Sequence, residues 1–245
     1  MTRRPLVLGH RGASAEAPEN TVAAFARARE LGADGVELDV RRSADGVLVV
    51  HHDPDLSGAD PDLSGGGPIK DMTLDELRAV RPDLATLEDA FDACAGLLVN
   101  AEVKCLPWEV DADQDGSVMR ATLDMINART ASADGGSFVV SSFYLGAIDL
   151  ARAYAPAIAT GWLTHSQPAS EGAPRAAAHG HPWLNPDVRS ALEAGPAGIS
   201  ATHALGLHVS VWTVDDPADA RALAASGVDI LITNVPDVVL AALDE

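Results

Sequence analysis

The chain is short of aromatic side chains, cysteine, positive charge and long apolar runs. Phe, Trp and Tyr make up 4% of its 245 residues, so the core must be built from Ala, Val, Leu and Ile. The two cysteines, Cys94 and Cys105, give neither a disulfide framework nor a metal-type spacing, and both are expected to be buried free thiols. No stretch approaches the roughly 18 consecutive apolar residues that suggest a membrane span. The N-terminal Met1-Thr2-Arg3-Arg4-Pro5 leads into only three apolar residues before Gly9, too few for a signal peptide. The expectation is a soluble, cytoplasmic chain without stable membrane insertion. Lys and Arg number 17 against 36 Asp and Glu, a formal charge of −19. Such a field repels nucleic-acid phosphates and anionic membranes. Nucleic acid is therefore excluded as a partner, and a small molecule is expected instead, admitted to the cleft by local cations or a metal.

What the chain does have is alternation. Apolar runs of strand type lie at Leu6 to Gly9, Gly35 to Val40, Leu97 to Val103, Phe138 to Ser142, Ile158 to Leu163, Trp183 to Asn185, His208 to Val214 and Asp229 to Thr233. Between them, Thr21 to Leu31, Thr73 to Val80, Met119 to Ala128, Leu145 to Tyr154 and Pro217 to Ala225 have helical spacing. Continuous apolar strands between amphipathic helices imply a parallel sheet covered by helices. Eight such units in a chain of this length predict one α/β domain over 1–245, a (β/α)8 TIM barrel. Asp45-Gly46 is a hairpin signal. It predicts a small antiparallel extension, Val47 to His51, after the second strand. Residues 54–70, with Ser64-Gly65-Gly66-Gly67, and Ser166 to Gly180 read as irregular loops.

Polar residues collect where these strands end. His10 and Arg11 follow the first strand, and Glu37 and Asp39 lie late in the second. His52 and Asp53 end the hairpin, Glu102 and Lys104 end the third strand, Ser141 and Ser142 the fourth, Trp212 the seventh, and Asn234 follows the eighth. In this fold, catalytic groups occupy that rim. Residues i and i+2 of a strand face one side, so Glu37 points with Asp39, and Glu102 with Lys104. Val36, Leu38, Val40, Ala101 and Val103 should then pack outward under the helices. Three buried carboxylates repel one another unless a cation lies between them. Oxygen-only ligation suits one Mg²⁺ or Ca²⁺ better than Zn²⁺. Arg11 has the planar fork that suits phosphate, and two histidines can move protons near neutral pH. Asn20-Thr21 opens a helix, where a cap and a functional contact are both open readings, and Trp212 reads as a substrate platform or a packing residue. His51 should face away from His52. Asp111, Asp113 and Asp115 alternate as in a calcium loop but lack its glycine and its final Glu. His165, His179, His181, His203 and His208 have no metal-ligand spacing and read as structural.

At these residues the chain resembles the glycerophosphodiester phosphodiesterase family. The resemblance rests on His10-Arg11-Gly12, Ala17-Pro18-Glu19-Asn20-Thr21, Glu37-x-Asp39, Asp45-Gly46 before His52-Asp53, and Glu102-x-Lys104. Ser141-Ser142-Phe143, Val211-Trp212-Thr213-Val214 and Thr233-Asn234-x-Pro236 continue it in order. It implies a TIM barrel that hydrolyses glycerophosphodiesters to sn-glycerol 3-phosphate and an alcohol through a cyclic phosphate. It implies a divalent metal on Glu37, Asp39 and Glu102, His10 and His52 as the acid/base pair, and Arg11 and Lys104 on the phosphate. Trp212, Ser142 and Asn20 are further candidates for the substrate pocket. Leu56-Ser57-Gly58 stands where the family usually carries an Arg-Thr-Thr-type segment. Asp215 and Asn234 replace the usual Asn and Asp. The same groups would serve a lysophospholipase D, and the fold alone could serve a non-catalytic binding barrel.

Overall fold

The computed structural model describes residues 4–56, 66–104, 106–131 and 136–244. Eight parallel strands close on themselves: β1 (Leu6–His10), β2 (Gly35–Arg42), β4 (Leu98–Val103), β5 (Ser137–Ser142), β6 (Ala159–Thr164), β7 (Trp183–Pro186), β8 (His208–Val211) and β9 (Ile230–Thr233). Pairing of β1 with both β2 and β9 completes the ring. The antiparallel β3 (Leu48–Val50) folds back on β2 through the Asp45-Gly46 turn, where Gly46 has φ 86° and its N–H reaches the Ser43 carbonyl at 3.0 Å. The fold is therefore the expected (β/α)8 barrel with a hairpin after its second strand. No helix is long and apolar enough to cross a membrane among the described residues.

Outside the strands lie α1 (Val22–Glu30), α2 (Leu74–Val80), α3 (Leu87–Ala93), α4 (Ser117–Thr130), α5 (Leu145–Tyr154), α6 (Ala169–His179), α7 (Val188–Ala204), α8 (Pro217–Ser226) and α9 (Pro236–Leu243). Local chemistry sets several starts. Thr21 caps α1 by accepting from the Ala24 N–H, and Thr73 with Glu76 and Thr86 with Asp89 form reciprocal capping boxes. The alternating Asp111, Asp113 and Asp115 also serve local structure. Asp113 accepts the Val118 and Met119 N–H groups of the first turn of α4, and Asp111 pairs with Arg41.

The core has two shells. Val36, Leu38, Val40, Val99, Ala101 and Val103 point out from β2 and β4 and pack with Phe25, Phe91 and Met119 beneath the helices. Inside the barrel, Leu8, Leu98, Ile230 and Ile232 form a small plug against Trp183 and Trp212. This plug forms a floor below the C-terminal rim.

Two expectations need correction. Ser166 to Gly180 is not an irregular stretch: α6 occupies Ala169–His179. Its buried stripe is Ala169, Gly172, Ala173 and Ala176. A stripe of residues this small gives little hydrophobic contrast, and Pro174 and Gly180 read as breakers. The run His208 to Val214 pairs as a strand only to Val211, and Trp212 bridges Asp187 beyond it. Cys94 is buried, and burial pushes its thiol up to about 12. Cys105, and the Ser57-to-Gly65 part of the loop read at 54–70, lie outside the described residues.

Candidate active site

Strand register brings the polar residues together. His10 lies opposite Glu37 in the β1–β2 pair, and Asp39 lies opposite Glu102 in the β2–β4 pair. In a parallel sheet, such neighbours project to the same side. Glu37, Asp39 and Glu102 are buried, and one carboxylate oxygen from each lies within 4.8 Å of the others. Lys104 Nζ stands between two of them, 3.0 Å from Asp39 and 2.6 Å from Glu102. Arg11 donates its backbone N–H to Glu37 at 3.1 Å, places Nε 3.1 Å from Asp39 and grips both Glu19 oxygens through Nη1. Its backbone is left-handed at φ 57°, followed by Gly12 at φ 85°. There, a Cβ on residue 12 would sit 2.6 Å from the Ala24 backbone. The chain thus turns back tightly on α1 and aims the guanidinium at the carboxylates.

Three carboxylates facing two cations leave negative charge uncompensated, and the electrostatics reflect it. Burial, with Asp39 and Glu102 beside it, raises the Glu37 carboxyl well above its ordinary value. Burial also raises Glu102, against the pull of Lys104. Burial works on Asp39 too, but Lys104 and Arg11 overcome it and hold that carboxyl well below the usual range. Burial would depress Lys104, yet Asp39 and Glu102 keep it firmly charged. An oxygen-only, buried, over-negative donor set fits a hard divalent cation. Asn20 at φ 59° donates from Nδ2 to Asp39 at 2.8 Å and accepts the Asp39 N–H at 3.3 Å. The Asn20-Thr21 pair thus divides: Thr21 caps the helix and Asn20 braces a carboxylate.

The two histidines reach this cluster from different elements. His10 Nδ1 is 2.8 Å from Asn234 Oδ1, and its Nε2 is 3.9 Å from Glu37. Asn234 is itself oriented: its Nδ2 donates to Asp215 at 2.7 Å, and its Oδ1 accepts from Ser14 at 2.7 Å. An oxygen facing His10 requires the proton on Nδ1, which leaves the Nε2 lone pair toward the carboxylates. Burial, with Arg11 nearby, lowers the His10 pKa from its usual value. His52 follows β3, and its Nδ1 is 2.8 Å from Asp53. Its backbone carbonyl accepts from Arg41 Nε at 2.9 Å and Nη2 at 2.6 Å. Arg41 is 1% exposed and extends the inward series Glu37, Asp39, Arg41 along β2. Its Nη1 meets Glu109 at 3.2 Å and Asp111 at 2.5 Å. Sequence reasoning missed Arg41, although its i+2 spacing from Asp39 was the available signal. His51 is buried, as strand alternation requires, while His52 lines the cavity.

A cavity of about 180 Å³ opens at this rim, with His10, Arg11, Glu37, His52, Glu102 and Lys104 on one side. Phe143, Leu163, Trp212 and Ile232 line the other. Trp212 meets Phe143 edge-on at 5.3 Å and donates Nε1 to the Asn185 carbonyl at 2.9 Å, so it both packs and forms a wall. Ser142 is not in the lining. Its hydroxyl donates to the Val103 carbonyl at 3.0 Å and accepts the Tyr144 N–H at 3.3 Å, a backbone-bracing position beneath the rim. A larger hollow of about 580 Å³ lies between α6 and α7 outside the barrel, but its lining is mostly Ala, Pro and Ser and it lacks these groups.

Comparison with known proteins places this arrangement in a class. The glycerophosphoryl diester phosphodiesterase family model matches residues 10–238, and the chain belongs to that family. It is 30% identical to a glycerophosphodiester phosphodiesterase of Caldanaerobacter subterraneus over 97% of both chains. It is 33% identical to a probable glycerophosphodiester phosphodiesterase 1 of Mycobacterium tuberculosis, over 95% of this chain and 90% of the other. Among solved structures, an Oleispira antarctica phosphodiesterase in complex with the product sn-glycerol-3-phosphate superposes with a TM-score of 0.84 at 27% identity, covering 99% of this chain and 98% of that one. A glycerophosphodiester phosphodiesterase of Thermotoga maritima gives 0.80 at 28% identity over the full length of both.

Proposed function

We propose that the protein hydrolyses glycerophosphodiesters to sn-glycerol 3-phosphate and an alcohol, with His10 as general base and His52 as general acid. The observation that carries this reading is the rim itself: three buried carboxylates, two cations and two imidazoles around one cavity. Glu37, Asp39 and Glu102 would hold one divalent cation, Mg²⁺ or Ca²⁺, which when bound supplies charge neutralisation and polarises a phosphoryl oxygen. Arg11 and Lys104 stand where they can take up phosphate charge as it develops.

His10 Nε2 removes the proton from the glycerol hydroxyl next to the ester, and that oxygen attacks phosphorus. His52 donates a proton to the departing alkoxide. A cyclic phosphate results, which water opens with the proton roles reversed. Asn234 supports the first role because it fixes His10 as the tautomer with a free Nε2. Asp53 supports the second because it holds Nδ1 at 2.8 Å and leaves Nε2 as the ring nitrogen free to meet the leaving group. Trp212 and Phe143 form the apolar wall, and Asn20 acts through Asp39.

A second reading is favoured by one observation. Trp108 is 78% exposed and Val110 58% exposed on the segment after β4, and Tyr144 is exposed after β5. Apolar side chains on this rim suit the acyl chain of a lysophospholipid, which a lysophospholipase D would cleave.

The test is release of glycerol 3-phosphate from a panel of glycerophosphodiesters, and of acylglycerol 3-phosphate from lysophospholipids, after chelation and again with Mg²⁺ or Ca²⁺ restored. Metal-dependent release that is lost in Glu37→Gln and Glu102→Gln is expected. Full turnover in the chelated enzyme would overturn the metal assignment, and turnover confined to lysophospholipids would establish the second reading.

A further inference from the structure

At the opposite end of the barrel, a second group of metal-ligating side chains converges. His179 is the last residue of α6, His181 precedes β7, and Asp149 lies in α5. Sequence spacing gives His179 and His181 no partner, because the third residue is some thirty positions earlier and meets them only when α5 packs beside α6. In the structure, Asp149 Oδ1 is 3.0 Å from His179 Nδ1 and 3.0 Å from His181 Nε2. The three donor atoms all lie within 4.8 Å of one another. We propose that Asp149, His179 and His181 form a zinc-class metal site, separate from the cluster at the catalytic rim.

Three observations support it. The first is donor chemistry: two imidazoles and a carboxylate suit Zn²⁺, whereas Mg²⁺ and Ca²⁺ call for oxygen. The second is size. A tetrahedral ion with ligand bonds of about 2.0–2.1 Å places neighbouring donors roughly 3.3 Å apart. The two contacts here are already near that edge, so little motion is needed to admit the ion. The third is orientation. The His181 side chain is fully buried, and its remote Nδ1 is 2.9 Å from Thr160 Oγ1 at the start of β6. A ligating imidazole usually has such an outer partner, which fixes the ring. The two rings lie nearly parallel, 15° apart, with centroids separated by 6.2 Å. Arg152 donates Nε to the Gly180 carbonyl at 2.9 Å and pins the connection between the two histidines.

Asp149 and His179 are each about two-fifths exposed, at 40% and 37%, so the fourth position opens to water. Three protein ligands with an open fourth place can bind Zn²⁺. At this end of a barrel, away from the strand C-termini, the expected consequence is stability. The ion would tie α5 to the turn between α6 and β7.

The experiment uses a tag-free full chain in a Glu37→Gln/Glu102→Gln background, so that zinc binding at the catalytic rim is suppressed equally in every protein compared. Zn²⁺ is titrated calorimetrically into this background and into the same background with His179→Ala or Asp149→Asn. Both test positions are partly exposed, so the variants are expected to fold. The background should bind Zn²⁺, raise its melting temperature with it, and give with Co²⁺ the strong visible band of a low-coordinate site. Each variant should weaken Zn²⁺ binding by at least about a hundredfold and lose both the band and the thermal shift. Equal zinc affinity and an unchanged Co²⁺ spectrum in the variants would overturn the proposal and leave Asp149, His179 and His181 as a plain hydrogen-bonded cluster.

Discussion

His10 and His52 face one cavity but are held in opposite ways. His10 is fixed through its ring: Asn234 takes Nδ1, and Asp215 and Ser14 fix Asn234. His52 is fixed through its backbone: Arg41 clamps its carbonyl, while its ring leans on Asp53, itself 45% exposed. His10 pairs with a neutral amide and His52 with a carboxylate. One arrangement leaves a free lone pair on Nε2, and the other holds the ring against a carboxylate. Under the proposed roles, outer partners would separate base from acid while both remain imidazoles.

The largest expected effect breaks the symmetry outright. His10→Ala and His52→Ala should each lower kcat by at least about a hundredfold on a glycerophosphodiester of a simple alcohol. With a nitrophenyl ester, whose leaving group needs no proton, His52→Ala should recover most of that loss and His10→Ala none of it. Equal recovery in both would exchange or erase the assigned roles. Next is Arg41→Lys, which keeps a charge but loses the two-pronged grip on the carbonyl. A fall in kcat of about ten- to a hundredfold is expected, with KM little changed. Because Arg41 acts through His52, this defect should also shrink with the nitrophenyl ester. A defect insensitive to the leaving group would mean that Arg41 serves only stability.

A smaller effect sharpens the contrast. Asn234→Asp gives His10 a charged partner, and an opposite charge at that distance raises an imidazole pKa by about one unit or more. A base must be deprotonated to act, so the acidic limb of kcat/KM should move to higher pH. An unmoved limb would remove His10 from the base role. The smallest effect concerns stability rather than rate. Burial, with Arg81 nearby, pushes His51 down to about 4, below its usual 6.5. The unfolded chain therefore binds this proton first, and His51 removes stability as pH falls from about 6.5 toward 4. His51→Leu should flatten the pH dependence of the urea midpoint across that window, whereas an unchanged slope would assign the acid sensitivity to other groups.

Much of this was legible in the sequence, for a physical reason. Apolar β-strands buried on both faces make continuous runs, so β1, β2, β4, β5 and β9 stand out, and the alternation of Glu37 with Asp39 and of Glu102 with Lys104 fixes which face they share. The hairpin was legible because Asp45-Gly46 is local turn chemistry. Helix α6 was not, because its buried face is alanine and glycine. Arg41 was not, because a lone arginine after an apolar run reads as a strand end; only the returning β3 gives it a carbonyl to hold. Ser142 misled in the other direction, because a polar residue at a strand end can face the backbone as well as the cavity. Asp149 could not be joined to His179 and His181 without the packing of α5 beside α6.

The cavity of about 180 Å³ is smaller than the roughly 300–1,000 Å³ typical of drug-sized ligands. A substrate larger than this must divide at the mouth into an enclosed half and a half left in solvent. If the glycerophosphate end is enclosed, the barrel fixes the bond that is cut, and the leaving alcohol is judged, among the described residues, by the rim segments after β4 and β5. Reaction and diet are then written in separate parts of the chain. Exchange of those surface segments between relatives should transfer the choice of alcohol while leaving the acid, the base and the carboxylates in place.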